Sequence, residues 1–372
     1  MKIGILTHPL GTNYGGLLQN FALQKVLVDL GHSPVTLDYI HHDSTKVKIF
    51  SVARRLVRNL AGERVPVRVW PTGREAKIIS QYTDIFIKSH INTTRQVDFS
   101  ELSKLKDEHF DALVVGSDQV WRGDRGHVER YFFSDFTDVA VPKIAYAASM
   151  GVDFWSFSDA DTRRCKELVK GFRAISVRED SAAKLCKEHL DIDALCVLDP
   201  TLMVDKKTYE TLTDSIPACG KHQMMVYILD KSREKMETVE KAADYLGLEP
   251  HTVMADAHFY EVGPKHLSRC VFPPVESWIA GFRDAQFVVT DSFHGMVFSV
   301  IFNKPFVVIA NNRRGRGRFL SFLGLLGLQD RLVDKWDEAS KILNIPIDYN
   351  AVNQVVRQNQ TSSLEFLKEN LK

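Results

Sequence analysis

The stretch QFVVTDSFHGMVFSVIFNKPFVVIA, Gln286 to Ala310, decides how the second half of the chain folds. An apolar run, Phe287-Val288-Val289, leaves through Thr290-Asp291-Ser292. Phe293, His294 and Gly295 then open a second apolar stretch, and Asn303-Lys304-Pro305 precedes a third, Phe306–Ala310. This reads as strand, polar turn, helix, strand, with the turn at the carboxyl end of the first strand. In an open parallel sheet that end borders the ligand crevice. Asp291 and Ser292 are suited to cap the helix, and Gly295 to admit backbone or ligand. His294 then stands at the helix mouth. A lone histidine is more often structural than catalytic, but this placement favours function, because imidazole is the side chain best suited to proton transfer near neutrality.

The same alternation runs through the chain. Short β-branched runs at Lys2–Thr7, Val35–Tyr39, Ala112–Ser117, Ile144–Ser149, Ala174–Arg178 and Leu195–Leu198 read as one series of strands. Met224–Leu229, His251–Ala255, Gln286–Asp291 and Phe306–Ala310 read as a second. Helical patterns separate them, such as LLQNFALQKVLVDLG closed by Gly31. Near-continuous apolar strands alternating with helices indicate parallel sheets covered on both faces. The alternation pauses at Asp199–Gln223, which reads as a linker. The expected fold is therefore α/β, two Rossmann-like domains facing across a cleft. Residues 1–205 would form the first domain and 206–345 the second. Residues 346–372 would form a helical segment, with SSLEFLKENLK carrying a capping box, Ser362 and Glu365.

Bulk properties bound the function. The 372 residues exceed what one hydrophobic core usually serves. A formal net charge of +1 gives no general attraction for nucleic acid, and none is expected as a partner. The five cysteines are scattered without zinc spacing, which suits buried thiols in a reducing compartment; neither metal nor cofactor is expected. The first residues read as a strand, and no apolar stretch is long enough to span a bilayer. The expected location is cytoplasmic.

Four further segments carry candidate chemistry. In THPLGTNYGGLLQNFAL, Gly11, Asn13, Gly15 and Gly16 lie between the first strand and its helix, where glycines let backbone N–H groups approach an anion. The alternative is a tight turn with a capping asparagine. Asp38 ends the second strand, but the spacing is no dinucleotide fingerprint. In VVGSDQVW, Ser117 and Asp118 sit at a strand end, and Trp121 is suited to stack on a sugar face; capping by Ser117 or Asp118 is the structural alternative. Arg178 ends another strand, with a planar fork suited to carboxylate or phosphate, or to a salt bridge with Glu179 or Asp180. NNRRGRGRF packs Arg313, Arg314, Arg316 and Arg318 together, as solvated surface or as an anion clamp. Between Lys46 and Arg74 there are eight Lys or Arg against one acid, Glu63. Ile49, Val52, Leu56, Val57 and Leu60 give this segment an apolar helical face. Two readings stand for it: resting on an anionic membrane surface at its inner face, or packing on the domain.

Taken together, THPLGTNYGGLLQNFAL, VVGSDQVW, YAASMG, ISVRED, VLDPTLM and VVTDSFHGMVFSVIFNKPFVVI resemble, in order, the motifs of the polysaccharide pyruvyl transferase family, over Met1 to Gly327. The resemblance implies a GT-B-like fold, with phosphoenolpyruvate as donor and a sugar diol, often on a lipid-linked or polymeric glycan, as acceptor. It implies that Arg178 binds the donor and that His294 is the general acid. Ser292 and Gly295 would lie on the donor side; on charge alone, apart from the resemblance, Lys304 and the arginines from Arg313 to Arg318 are expected to neutralise departing phosphate. Asn13, Gly15, Gly16, Ser117 and Trp121 would face the acceptor, with Asp118 as a candidate base. The rivals are a glycosyltransferase using a nucleotide sugar and, in another class, a non-catalytic glycan-binding or assembly protein. A Rossmann dehydrogenase comes last.

Overall fold

The computed structural model describes residues 1–40, 45–63, 65–123, 141–218, 220, 222–310 and 315–372. Two wholly parallel sheets dominate it. The first has strands β1 (Lys2–Leu6), β2 (Ser33–Thr36), β5 (Ala112–Val115), β6 (Lys143–Ala148), β7 (Phe172–Val177) and β8 (Leu195–Cys196), ordered β2-β1-β5-β6-β7-β8. Between β2 and β5 the chain adds a two-stranded parallel ladder, β3 (Tyr39–Ile40) with β4 (Val97–Asp98). The second sheet has β9 (Gln223–Tyr227), β10 (Glu249–His251), β11 (Phe287–Thr290), β12 (Phe306–Ile309) and β13 (Leu332–Val333), ordered β10-β9-β11-β12-β13. Each order reverses direction beside its first strand, as in doubly wound sheets, so each sheet has a crevice at its carboxyl edge. This is the expected two-domain Rossmann-like, GT-B-like architecture.

Among the helices of the described residues are α1 (Tyr14–Asp29), α2 (Thr45–Leu60), α3 (Asp180–Leu190), α4 (Lys206–Leu212), α5 (Phe259–Val262), α6 (Val275–Asp284), α7 (Phe293–Ile301), α8 (Gly317–Leu326) and α9 (Tyr349–Asn370). The central strands are apolar because both faces are covered; β5, β6, β11 and β12 are buried throughout. Two apolar clusters fill the outer faces, one per sheet. The third is shared. Tyr14, Leu17 and Tyr146 from the first half pack in it with Tyr227, Trp278, Phe293 and Phe298 from the second, and with Val352 and Leu367 of α9. Tyr14 carries much of this junction. Its ring centroid lies 5.7 Å from that of Trp278, and its hydroxyl donates to the Pro273 carbonyl at 2.8 Å.

Several sequence expectations are revised. The stretch from Asp199 carries structure of its own, a 3-10 turn at Pro200–Met203 and then α4. The last helix begins at Tyr349 and is capped by Asp348, whose carboxylate accepts from the N–H groups of Asn350 and Ala351. Ser362 and Glu365 therefore lie inside it. Ser363 of the same helix reaches back to the first half, accepting from Leu198 N–H at 3.0 Å. Three described cysteines, Cys165, Cys186 and Cys270, are buried thiols, whereas Cys196 is exposed. Among the described residues, no helix is long and apolar enough to cross a membrane.

Gly116 makes the close approach that lets the first sheet present its site. At φ +127° its missing Cβ would stand 2.1 Å from the Tyr146 carbonyl oxygen. That contact is backbone on backbone and cannot relax by side-chain rotation. Gly116→Ala is expected to lower stability by about 2 kcal/mol or more, through strain at positive φ and the clash. Urea unfolding of the variant checks this.

Candidate active site

The carboxyl edges of the two sheets meet around His294. Val289 and Thr290 end β11, and the Ser292 side chain caps α7 by accepting from Gly295 N–H at 3.4 Å. Asp291 does not cap. It is buried and turned back under the strand ends, accepting from Leu229 N–H at 2.6 Å, Asp230 N–H at 3.1 Å and Lys235 Nζ at 2.7 Å. Gly295 is needed where Thr290 comes close: a Cβ there would stand 2.2 Å from Thr290 Oγ1. His294 is thus fixed at the amino end of α7 and is 7% exposed.

Across the junction, the amino end of α1 points at the same imidazole. A Cβ on Gly15 would lie 2.2 Å from His294 Nδ1, so only glycine lets helix and ring approach this closely. Asn13 occupies the N-cap position of α1, but its side chain makes no capping hydrogen bond. It is exposed at the mouth of the site, which corrects the capping alternative. Gly15→Ala is expected to displace His294 and cut turnover by about 100-fold, the scale for a misplaced catalytic group. Steady-state kinetics beside an unchanged melting curve checks it.

Beneath the histidine lies a buried charge cluster. Asp199 Oδ2 accepts from Arg178 Nη1 at 2.6 Å and from Ser117 Oγ at 3.3 Å, and it stands 3.6 Å from His294 Nε2. Its other oxygen accepts from Thr201 N–H at 3.0 Å and Thr201 Oγ1 at 2.7 Å. Arg178 Nη2 reaches Asp118 Oδ1 at 3.3 Å, and its guanidinium lies 4.2 Å from the centre of the Phe293 ring. Glu179, also buried, accepts from Ser149 Oγ at 2.7 Å and Met150 N–H at 3.0 Å.

Burial alone would push both aspartic acids upward. For Asp118 the neighbouring Arg178, His294, His8 and Arg318 outweigh it, and its carboxyl sits well below the usual range. For Asp199, His294 and Arg178 do the same, helped by Thr201. Groups depressed in the folded state add stability above their unfolded value of about 3.9 and lose it as pH falls. Acidification below about pH 4 should therefore erode stability, and Asp199→Asn should flatten that slope. Urea midpoints measured across the acid range test the sign.

Above the cluster is a cavity of 290 Å³ whose lining includes Asn13, Asp118, Ser292, His294, His258 and Arg318. It draws on both halves of the chain. The candidates from the sequence divide over it. Asn13, Asp118, Ser292 and His294 line the cavity, and Gly15 and Gly295 set the position of His294. Gly16 faces the Asn13 side chain. Ser117 is fully buried under the site, bonded to Asp199 and the Ala147 carbonyl. Trp121 is also fully buried, edge-on to Phe172, and cannot stack on a sugar. Lys304 precedes β12, at the opposite edge of the sheet from the cavity, beside Lys206. Arg178 has a side chain 2% exposed and spent on carboxylates, so it supports the cavity floor without opening into it. Arg313 lies outside the described residues. Arg316 pairs with Asp334 at 2.7 Å, and Arg318 is the member of that cluster that lines the cavity.

Sequence reasoning missed Asp199, which sits in VLDPTLM directly after a strand. An Asp-Pro pair leaving a strand end was the available signal. It also missed His258, whose loop carries no pattern.

Histidine, arginine and carboxylate side chains from the two halves thus gather at a crevice between the carboxyl edges of two doubly wound sheets. The sequence profile of the polysaccharide pyruvyl transferase family matches residues 13–313, and the chain belongs to that family. Solved structures with a similar fold include a glycosyltransferase from Rickettsia africae, 12% identical, covering 100% of this chain and 98% of that one, TM-score 0.49. Another is a UDP-GlcNAc 2-epimerase from Neisseria meningitidis bound to UDP-GlcNAc, 10% identical, covering 97% and 100%, TM-score 0.47. A comparison with curated protein sequences finds no match.

Proposed function

We propose that the chain transfers the pyruvyl group of phosphoenolpyruvate to two hydroxyls of a sugar on a cell-surface polysaccharide or its lipid-linked precursor. The observation that carries this reading is His294, wedged between two helix amino ends and backed by Asp199, in a cavity that also holds Arg318. An enol phosphate that is also a carboxylate suits a site rich in cations and helix amino ends.

In this reading His294 delivers a proton to the methylene carbon of the donor, which becomes a methyl group and leaves a positive centre at the adjoining carbon. A sugar hydroxyl adds there, forming a C–O bond and returning a proton to the histidine. The C–O bond to phosphate then breaks, and the second hydroxyl closes the ketal; its proton leaves with the phosphate. Asp199 Oδ2, 3.6 Å from Nε2, places a carboxylate beside the imidazole. Asp118, held strongly acidic, is a poor base. Its role is revised to stabilising the positive centre by charge. Arg318 takes the anion-binding role that the resemblance implies for Arg178.

Radiolabelled phosphoenolpyruvate, incubated with the chain and lipid-linked or polymeric glycan acceptors, tests the reading. Acid-labile label in the glycan, released as pyruvate, is expected. Sugar transfer from a nucleotide sugar, without pyruvyl transfer, would overturn it.

A further inference from the structure

Helix α2 is built the wrong way round for a helix packed on a domain. At about 100° per residue, Ile49, Phe50, Val52, Ala53, Leu56, Val57 and Leu60 fall on one arc. The opposite arc carries Lys48, Ser51, Arg55, Arg58 and Asn59. The polar arc is the one bonded to the segment that follows the helix. Arg55 donates to the Pro66 carbonyl at 2.9 Å, Asn59 exchanges two hydrogen bonds with Val65, and Arg58 holds Glu63 through Nε at 2.8 Å. The apolar arc faces outward. Ile49 is 65% exposed, Phe50 72%, Val57 65% and Leu60 88%. A contiguous exposed apolar face of this kind marks an interaction surface.

Charge selects the occupant. The helix carries Lys46, Lys48, Arg54, Arg55 and Arg58 and no acidic residue. Lys48 and Arg54 border the apolar arc on its two sides. Such a helix repels a second copy of itself, and an apolar face gains nothing from nucleic acid. It is complementary to the boundary of an anionic bilayer, where the apolar arc enters the acyl region and flanking cations meet headgroups.

The anchor leads to the active site. After α2 the chain runs through Pro66 and Arg68 onto the second half. Arg68 lies over the Phe259 ring of α5 at 5.3 Å, and Pro66 packs on Gly263. Residue His258, next to Phe259, lines the 290 Å³ cavity. We infer that α2 docks the enzyme on an anionic membrane surface through Ile49, Phe50, Val57 and Leu60, on the side of the molecule where His258 borders the cavity. The inference stands on this helix alone and does not depend on the donor.

Flotation of the full chain with phosphatidylglycerol-containing vesicles, against vesicles of phosphatidylcholine alone, tests it. Binding is expected to the anionic vesicles and to weaken as salt rises. Because the four side chains are exposed, the combined Ile49→Ser, Phe50→Ser, Val57→Ser and Leu60→Ser variant should keep its melting temperature and lose binding by about tenfold or more. Lys48→Gln and Arg54→Gln should each cost about fivefold. Absence of vesicle binding, equal binding to neutral vesicles, or wild-type binding by the serine variant would each overturn the proposal. Self-association that the serine variant abolishes, without vesicle binding, would overturn it in favour of a second copy.

Discussion

Replacing His294 with alanine is expected to reduce turnover by about 100- to 10,000-fold, the range for a positioned general acid, with little change in stability. The side chain is buried but bonded to little: its Nε2 stands 3.6 Å from Asp199, just beyond hydrogen-bond reach, while Nδ1 lies against Gly15. Removing it opens space beside the cavity but leaves Asp199 bonded to Arg178, Ser117 and Thr201. In deuterated water the wild-type product should carry one solvent deuterium in its ketal methyl group, the mark of protonation at carbon. Turnover by His294→Ala at near the wild-type rate would remove the imidazole from the reaction.

Arg178→Ala is expected to act on folding. The guanidinium is 2% exposed and bridges Asp199 and Asp118, with Glu179 Oε2 at 3.9 Å. Deleting one partner of a buried ion pair leaves the other charges uncompensated and costs about 3–5 kcal/mol. The melting temperature should fall by several degrees. Arg178→Ala combined with Asp199→Asn should recover part of the loss, because one stranded charge goes with it. Full retention of stability by Arg178→Ala, with donor affinity lost, would return the residue to direct donor binding.

The sheets were legible because the signal is local and repeated. Strands buried on both faces must be apolar almost throughout, as Phe287–Thr290 and Phe306–Ile309 are. The turns between them must hold small or capping residues, as Ser292 and Gly295 do. What escaped is set at a distance. Leu332–Val333 is too short to stand out from helical surroundings, and Tyr39–Ile40 pairs with Val97–Asp98 far along the chain. The same division holds at the site. His294 announced itself by its turn. The burial of Trp121 and Arg178 depends on what packs over them, and the remoteness of Lys304 follows from which edge of the sheet precedes β12. Arg318 and Arg316 are near neighbours in one basic run, yet only the helical direction of α8 carries Arg318 into the cavity while Arg316 pairs outside with Asp334. Asp199 drew no attention because its partners, Arg178, Ser117 and His294, come from three other segments.

The proposed phosphoenolpyruvate site is the cavity beside His294, with Arg318 as its anion-binding side chain. Calorimetric titration of phosphoenolpyruvate into the wild-type chain and into Arg318→Met tests it without an acceptor. Saturable binding by wild type, weakened about tenfold or more in Arg318→Met, is the expected result for losing a charged hydrogen bond. Equal affinity in both chains, or saturable heat only from a nucleoside diphosphate, would contradict this assignment.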